Sequence, residues 1–190
     1  MTHGSGAPSD WLLRWAHLLP AGGAVLDLAC GGGRHVRWLA EQGFRVTALD
    51  RDAAAVEPLR PVAAEVIVAD IEGGPWPSAE RQFDAVLVTN YLWRPLWPAI
   101  GAALAPGGWL LYETFANGHE RLGRPSRPDF LLQPGELLRV SEQLGLRVVA
   151  YESGQLADPP RIVQRVVAQR PGAGPEPAAP PLAGSRSPGG

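Results

Sequence analysis

The feature that most restricts the fold is a short apolar run followed by consecutive glycines and an amphipathic segment. The run AVLDLA at 24–29 is apolar almost throughout, which is typical of a β-strand covered on both faces. Three glycines follow at 31–33, and RHVRWLAEQ at 34–42 places its apolar residues at helical spacing. A strand, a glycine turn and a helix in that order begin a βαβ unit, so this part of the sequence predicts an α/β protein.

The same alternation continues along the chain. Further strands are predicted at 44–50, 65–70, 83–90, 109–115, 146–153 and 161–169, and helices at 11–19, 34–42, 52–59, 95–104 and 134–144. Gly154, Pro159 and Pro160 separate the last two strands, which we therefore expect to be antiparallel to each other. The predicted fold is α/β, with a Rossmann-like, doubly wound sheet of seven strands. The sheet is mostly parallel, with helices on both faces and an antiparallel C-terminal strand.

Length and local composition predict one domain. A chain of 190 residues is long enough to bury one core but hardly two. The sequence PGAGPEPAAPPLAGSRSPGG at 171–190 has too little apolar surface to offset the entropy of ordering it, so we expect a disordered tail. Residues 1–8 are expected to be flexible as well, which leaves 9–170 as the folded domain.

Charge and cysteine content exclude several function classes. The chain has 17 basic residues, all arginine, and 19 acidic residues, so its net charge of −2 does not support a dedicated nucleic-acid binder. Cys30 is the only cysteine, which rules out an internal disulfide and a cysteine-built zinc site, and we expect no metal. No apolar run is long enough for a membrane span, and the N-terminus lacks the order of a secretory signal. We expect a soluble cytoplasmic protein, and its oligomeric state stays open.

Acidic residues lie at or near the ends of three predicted strands. Asp27 lies in the first, Asp50 ends the second and Asp70 ends the third. In an open α/β sheet the ligand crevice lies outside the carboxyl ends of the strands, where an acidic residue accepts hydrogen bonds from ribose hydroxyls. The pattern predicts an adenosine compound with a cationic or amine-bearing end near Asp27. The alternative is structural, since any strand-to-helix turn can hold glycine and an aspartate can simply cap the next helix.

The spacing of the glycines distinguishes between nucleotides. A dinucleotide fingerprint beginning at Gly31 needs a third glycine at position 36, where this chain has Val36. The chain also has no lysine and no P-loop pattern, so it lacks the lysine that binds nucleoside triphosphates. The sequence therefore disfavours NAD and nucleoside triphosphates.

Four segments resemble the cofactor-binding half of class I S-adenosylmethionine-dependent methyltransferases. They are VLDLACGGGRHVRWLAEQGFRVTALDRD, ADIE, FDAVLVTNYLW and LAPGGWLLYETF, within 24–115. The likeness is greatest to small tellurite-resistance-type methyltransferases. At the glycine turn the family has the pattern acidic-x-G-x-G-x-G. Asp27, Gly31 and Gly33 match it, whereas Ala29 replaces the first glycine and adds one methyl group.

The resemblance implies S-adenosylmethionine as the cofactor and a role for each matching residue. The turn from Ala29 to Gly33 would lie against the methionine part, and Asp50 would bind the ribose. Asn90 and Tyr91 would face the sulfonium and the acceptor. The full set of implied cofactor-binding residues is Asp27, Ala29, Cys30, Gly31, Gly33, Asp50, Arg51, Asp70, Ile71 and Asn90.

Candidate catalytic residues are Glu113, His119 and Tyr91. Methyl transfer needs alignment above all, and a general base only helps when the acceptor carries a proton. Glu113 at a strand end could instead cap a loop, and His119 could simply face solvent. Four arginines could form a cationic collar for an anionic acceptor: Arg94, Arg121, Arg124 and Arg127. The alternative is that they are solvated side chains of a loop.

The sequence thus predicts a methyltransferase that acts on an unidentified acceptor, with a small molecule favoured. Two alternatives remain open at this point. One is an NAD(P)-dependent Rossmann oxidoreductase, and the other is a non-catalytic protein that binds S-adenosylmethionine.

Overall fold

The computed structural model describes residues 6–172 and 174. Most of the predicted tail at 171–190, and residues 1–5 of the predicted flexible N-terminus, lie outside the described residues. The strands are β1 (Ala24–Leu28), β2 (Arg45–Asp50), β3 (Glu65–Val68), β4 (Phe83–Thr89), β5 (Leu104–Phe115), β6 (Arg147–Ala157) and β7 (Pro160–Gln169). The helices are α1 (Asp10–Trp15), α2 (Arg34–Glu41), α3 (Ala53–Val56), α4 (Trp97–Ala103) and α5 (Glu136–Gln143).

The strands form one sheet in the order β3-β2-β1-β4-β5-β7-β6. β1 to β5 pair in parallel, whereas β7 is antiparallel to both β5 and β6. This arrangement confirms the predicted fold class. The strand order reverses between β1 and β4, and in sheets of this kind the crevice for a ligand lies at the carboxyl ends of the strands beside that reversal.

A hydrophobic core covers each face of the sheet. Alternate residues of β1 point to opposite faces, so Leu26 and Leu28 join one core and Val25 joins the other. The second core contains Trp11 and Trp15 of α1. Burial of β1 on both faces explains why its sequence is nearly all apolar, and it makes the one charged residue in the strand an exception that needs a reason.

Helix termini follow the local signals in most places. The side chain of Ser9 accepts a hydrogen bond from the Trp11 N–H, which confirms Ser9 as the cap of α1. The predicted helix at 95–104 begins instead with a 3₁₀ turn at Arg94–Leu96 before α4. Pro95 and Pro98 have no N–H to donate, so regular α-helical hydrogen bonding starts late.

The C-terminal strands are longer than predicted. The sequence placed a break at Gly154, but β6 continues through it to Ala157, and β7 starts at Pro160. The two strands pair without interruption from Ala150 and Val167 to the turn between them. Pairing with β7 along this edge supplies the hydrogen bonds that hold Gly154 in a strand. No helix in the described part of the chain has the length and hydropathy needed to cross a membrane.

Candidate active site

Three adjoining hollows form a cleft at the carboxyl ends of the central strands. We call them the wide hollow (about 990 Å³), the acidic hollow (about 470 Å³) and the bridging hollow (about 210 Å³). Ala29 and Asn90 line both the wide and the acidic hollow, and Asn90 also lines the bridging hollow. The wide hollow is within the size range of small-molecule sites, and the shared residues make the three hollows neighbours.

Nearly all residues predicted to bind the cofactor meet in this cleft. Those that line the wide hollow are Asp27, Ala29, Cys30, Gly31 and Asn90. Those that line the acidic hollow are Ala29, Asp50, Arg51, Asp70, Ile71 and Asn90. Gly33 is the exception, since it lines none of the three hollows. Asp27 therefore lines a hollow that adjoins the one lined by Asp50 and Asp70.

Left-handed backbone shapes the glycine turn. Ala29, Gly31 and Gly33 have φ angles of 55°, 53° and 75°. A left-handed conformation costs a non-glycine residue about 1–2 kcal/mol, so Ala29 departs from the family pattern in backbone strain as well as in its extra methyl group. The Gly31 N–H donates to Oδ2 of Asp50 at 2.8 Å, which ties the turn to the end of β2.

Gly33 has a packing role rather than a lining role. A Cβ at this position would overlap the end of the Leu59 side chain, which is fully buried. Gly33 also precedes the first residue of α2, where a positive φ is required. The glycine therefore lets α2 pack closely behind the cleft, although it does not face the ligand.

Asp27 is the buried acidic residue in β1. Its side chain is about 1% exposed, and Oδ2 has no hydrogen-bond partner among the described residues. Burial raises the pKa of this carboxyl from its ordinary 3.8 to about 8, and the nearby Arg34 opposes the rise. A buried, unpaired carboxylate oxygen at the edge of a hollow is costly on its own, so it fits a cationic or hydrogen-bond-donating ligand group.

Two neighbours of Asp27 were missed by the sequence reasoning. Nε2 of His35 accepts the Ser9 N–H at 3.2 Å, and burial with the nearby Arg34 lowers the pKa of His35 to about 3. The neutral ring directs Nδ1–H toward Asp27, 3.9 Å from Oδ2. Arg34 lines the wide hollow and donates to the Ala7 carbonyl at 3.3 Å. Their position directly after the glycines, at the start of α2, was a signal that could have identified both.

Asp70 is held in its charged form at the other end of the cleft. Oδ1 accepts the N–H groups of Glu72 at 3.0 Å and Gly73 at 3.2 Å. These hydrogen bonds, together with the nearby Arg51, keep the pKa of Asp70 below its ordinary value. The acidic hollow therefore presents carboxyl oxygens as acceptors near the ends of β2 and β3, a chemistry that suits hydroxyl and amino donors.

The end of β4 lies between the hollows. Asn90 has a φ of 57°, and its N–H donates to the Glu113 carbonyl at 2.9 Å. Left-handed Asn is a strained conformation that recurs at functional sites. The preceding residue, Thr89, lines the wide hollow with a buried hydroxyl that has no partner among the described residues. The cleft therefore presents two polar groups here, one of them not anticipated from the sequence.

The predicted catalytic residues separate into two groups. Tyr91 lines the acidic and bridging hollows, and burial together with the nearby Glu72 raises the pKa of its hydroxyl. Tyr91 therefore stays protonated and can donate a hydrogen bond, but it cannot serve as a base at neutral pH. Glu113 and His119 line none of the hollows.

Both side chains are instead engaged inside the protein. Glu113 is about 2% exposed, accepts the Ser9 hydroxyl at 3.1 Å and pairs with Arg165 at 3.3 Å. His119 is about 4% exposed, so the expectation of a solvent-facing ring is wrong. Its Nδ1 accepts the Ile162 N–H at 3.3 Å, which leaves Nε2–H to donate to the Arg124 carbonyl at 3.1 Å. Neither group is placed to take a proton from an acceptor in the cleft.

The predicted arginine collar is partly assembled. Arg124 and Arg127 line the wide hollow. Arg94 lines none of the hollows and instead donates two hydrogen bonds to the Glu136 carboxylate, at 2.7 and 3.0 Å. Arg121 lies outside the hollows with its side chain about 84% exposed. The sequence grouped four arginines by proximity along the chain, but only two of them face the cleft.

Comparisons with known proteins agree with this geometry. Residues 25–108 match the family model described as "Methyltransferase domain", and no curated protein sequence matches the chain. A similar solved structure is a SAM-dependent methyltransferase from Methanosarcina mazei, with 15% identity, a TM-score of 0.68 and coverage of 88% of this chain and 100% of that one. A TehB-like SAM-dependent methyltransferase from Corynebacterium glutamicum has 20% identity, a TM-score of 0.64 and coverage of 87% and 90%.

A third similar structure carries a small acceptor. It is a 1,6-didemethyltoxoflavin-N1-methyltransferase from Burkholderia thailandensis with bound 1,6-didemethyltoxoflavin and S-adenosylhomocysteine. The identity is 18%, the TM-score is 0.63, and the match covers 85% of this chain and 76% of that one. The family match spans β1 to the start of β5, and the sheet has the fold of class I S-adenosylmethionine-dependent methyltransferases.

Proposed function

We propose that the cleft binds S-adenosylmethionine across the ends of β1, β2 and β3 and that its methyl group is transferred to a small-molecule acceptor in the wide hollow. The observation that carries this proposal is the buried, unpartnered Oδ2 of Asp27. The methionine part of the cofactor has an ammonium group, and that group would give the carboxylate its missing partner.

The acidic hollow fits the adenosine part. Asp50 lies at the end of β2, where its carboxylate would accept both ribose hydroxyls while it still holds the Gly31 N–H. Asp70, Ile71 and Arg51 would surround the adenine. The glycine turn lets the ligand approach the backbone, and Arg34 would meet the methionine carboxylate at the opposite end of the cofactor.

The reacting end of the cofactor would lie at Asn90, the residue common to all three hollows. Bound S-adenosylmethionine supplies a methyl group on a sulfonium. The acceptor's lone pair forms the new bond as the carbon–sulfur bond breaks, and that electron pair stays on sulfur. Asn90 and Tyr91 would orient the acceptor through hydrogen bonds. We therefore propose catalysis by alignment, worth up to about 7–11 kcal/mol, without a base from Glu113 or His119.

The small-molecule acceptor is supported by the volume of the wide hollow, about 990 Å³, and by the 1,6-didemethyltoxoflavin bound in the Burkholderia thailandensis enzyme. The negative net charge gives no support to a nucleic-acid acceptor. A free cysteine buried in the glycine turn is compatible with a reducing compartment, and we propose a cytoplasmic location.

The test is turnover with a fractionated metabolite extract. The protein and S-adenosylmethionine should yield S-adenosylhomocysteine together with a product that is heavier by one CH₂ unit, detected by mass spectrometry. The Asp50→Ala variant should lower S-adenosylhomocysteine affinity about 10- to 100-fold, the loss expected for hydrogen bonds to a charged group. The Glu41→Gln variant is the matched control, because this exposed carboxylate lies at the far end of α2 from the cleft.

Two results would contradict the proposal. Binding of S-adenosylmethionine without any methylated product from extract would favour a non-catalytic binding protein. Equal affinity of the wild type and the Asp50→Ala variant for S-adenosylhomocysteine would remove the ribose assignment.

A further inference from the structure

The outer wall of the wide hollow is held in place at both ends. This wall is the segment 124–130, from which Arg124, Pro125, Ser126, Arg127 and Phe130 line the hollow. At its start, the buried His119 donates to the Arg124 carbonyl. At its end, Arg94 donates to the Asp129 carbonyl at 2.7 Å and to the Leu131 carbonyl at 3.0 Å. The wall is therefore a positioned surface and its residues can act as a preformed site.

The charged residues of the wide hollow belong to two parts of the chain. Asp27 of β1 has Arg34 of α2 nearby, whereas Arg124 and Arg127 belong to the outer wall. Arg124 has no ion pair among the described residues. Arg127 pairs with Asp129 at 2.7 Å, but both side chains are about 70% exposed, at 71% and 68%, so that pair is weak and exchangeable. The outer wall thus presents two guanidinium groups with little local compensation.

Two aromatic rings line the wide hollow together with these arginines and with Asn90 at the proposed reacting end. Phe115 and Phe130 line both the wide and the bridging hollow, as does Asn90. His119 packs on Phe115 with ring centroids 4.4 Å apart, and the Arg127 guanidinium lies 5.3 Å from the Phe130 ring. Each ring is thus in contact with a neighbouring side chain. Phenyl faces favour a flat apolar ligand body.

We propose that the methyl acceptor is a small planar molecule with a carboxylate or phosphate group, bound by Arg124 and Arg127 at the outer wall while Phe115 and Phe130 contact its apolar body. This inference rests on the proposed function and adds the chemical class of the acceptor. The planar guanidinium of arginine matches both anions through paired hydrogen bonds, so carboxylate and phosphate belong to the same chemistry.

In the experiment, protein saturated with S-adenosylhomocysteine is titrated with four probes of similar size, and calorimetry measures the affinity for each probe. The probes are 4-hydroxybenzoate, phenyl phosphate, the neutral 4-hydroxybenzamide and the cationic tyramine. Both anions should bind about tenfold or more tightly than the amide and the amine, as expected for charge-assisted hydrogen bonds. The tighter of the two anions assigns the group.

Variants connect this preference to the wall. The double variant Arg124→Gln/Arg127→Gln should remove the preference for anions and keep the affinity for S-adenosylhomocysteine, since the adenosine part is assigned to the acidic hollow and the methionine part to Asp27 and Arg34. The single variants Arg124→Gln and Arg127→Gln remove one charge each, and Arg121→Gln, which removes one charge from a neighbouring exposed position, is their control. Thermal unfolding of each variant reports whether the wall still folds.

The inference is overturned if the amide binds as tightly as the anions, if neither anion binds at millimolar concentration, or if the double variant keeps the preference. A loss in Arg121→Gln equal to that in the double variant would also overturn it, since the effect would then be net charge alone. Failure of the wild type to bind S-adenosylhomocysteine would instead count against the proposed function.

Discussion

The Asp27→Asn substitution tests the electrostatic character of the cleft, because the pKa of Asp27 is about 8 in the folded protein against an ordinary 3.8. A carboxyl with a raised pKa binds its proton more tightly in the folded state than in the unfolded chain. Its ionisation therefore lowers the free energy of unfolding as the pH rises from about 4 to about 8. The asparagine variant has no such proton to lose, while its side chain has nearly the same shape.

The expected magnitude follows from this window. The variant should gain stability over the wild type by about 1.4 kcal/mol per pH unit, the slope for one proton. The gain should reach on the order of 5 kcal/mol above pH 8 and vanish near pH 4. It should come with a loss in cofactor affinity of about tenfold or more, because the amide cannot pair with an ammonium group as a carboxylate does.

The assay is urea unfolding of ligand-free protein, followed by circular dichroism at about pH 5, 7 and 9. Calorimetry with S-adenosylhomocysteine at each pH measures the affinity. Glu41→Gln serves as the control, since an exposed carboxylate should give a stability difference that does not change over this range. A stability gap between Asp27→Asn and wild type that is independent of pH would refute the reasoning, as would a wild type that is the more stable protein at pH 9.

Three further predictions concern residues around the cleft. Gly33→Ala should destabilise the protein by roughly 2–5 kcal/mol and Gly31→Ala by about 1–2 kcal/mol. Both substitutions add left-handed backbone strain, but only at Gly33 does the new methyl group also overlap Leu59. Chemical denaturation that ranks the two variants in the opposite order would contradict this prediction. His35 has its pKa lowered to about 3, so its stabilising contribution is fully present above pH 6.5 and is lost as the pH falls toward 3. His35→Gln should therefore flatten the acid limb of a stability–pH curve, and an unchanged limb would exclude this role for the ring. Arg94→Lys should lower the free energy of unfolding by about 1.5–3 kcal/mol, because lysine cannot reproduce the two hydrogen bonds from Arg94 to Glu136. Thermal stability equal to that of the wild type would show that this ion pair is dispensable.

Local patterns were sufficient for the inner part of the cleft. The glycine turn and Asp50 are adjacent to strands that the apolar runs predicted, and the carboxyl ends of parallel strands share one edge of a sheet. Predicting three strands in order therefore also predicted that Asp27, Asp50 and Asp70 would converge. The backbone strain at Ala29 could not be predicted from the sequence, because its φ angle depends on how the turn closes over β2.

The outer part depended on contacts between distant segments. Phe115 ends β5 and Phe130 lies in a connection, and no spacing along the chain indicates that both line one hollow. His119 is buried because the Ile162 N–H of β7 binds its ring, and this strand is far along the sequence. Pairing between β6 and β7 likewise kept Gly154 within a strand, which a local signal could not anticipate.

The central claim is that the cleft at the ends of the first three strands holds an adenosyl sulfonium. Isothermal titration calorimetry of the wild-type protein, with S-adenosylmethionine and NAD in separate titrations, tests it most directly. We predict one S-adenosylmethionine bound per chain and no comparable affinity for NAD. Tighter binding of NAD, or no heat of binding with S-adenosylmethionine, would contradict the account.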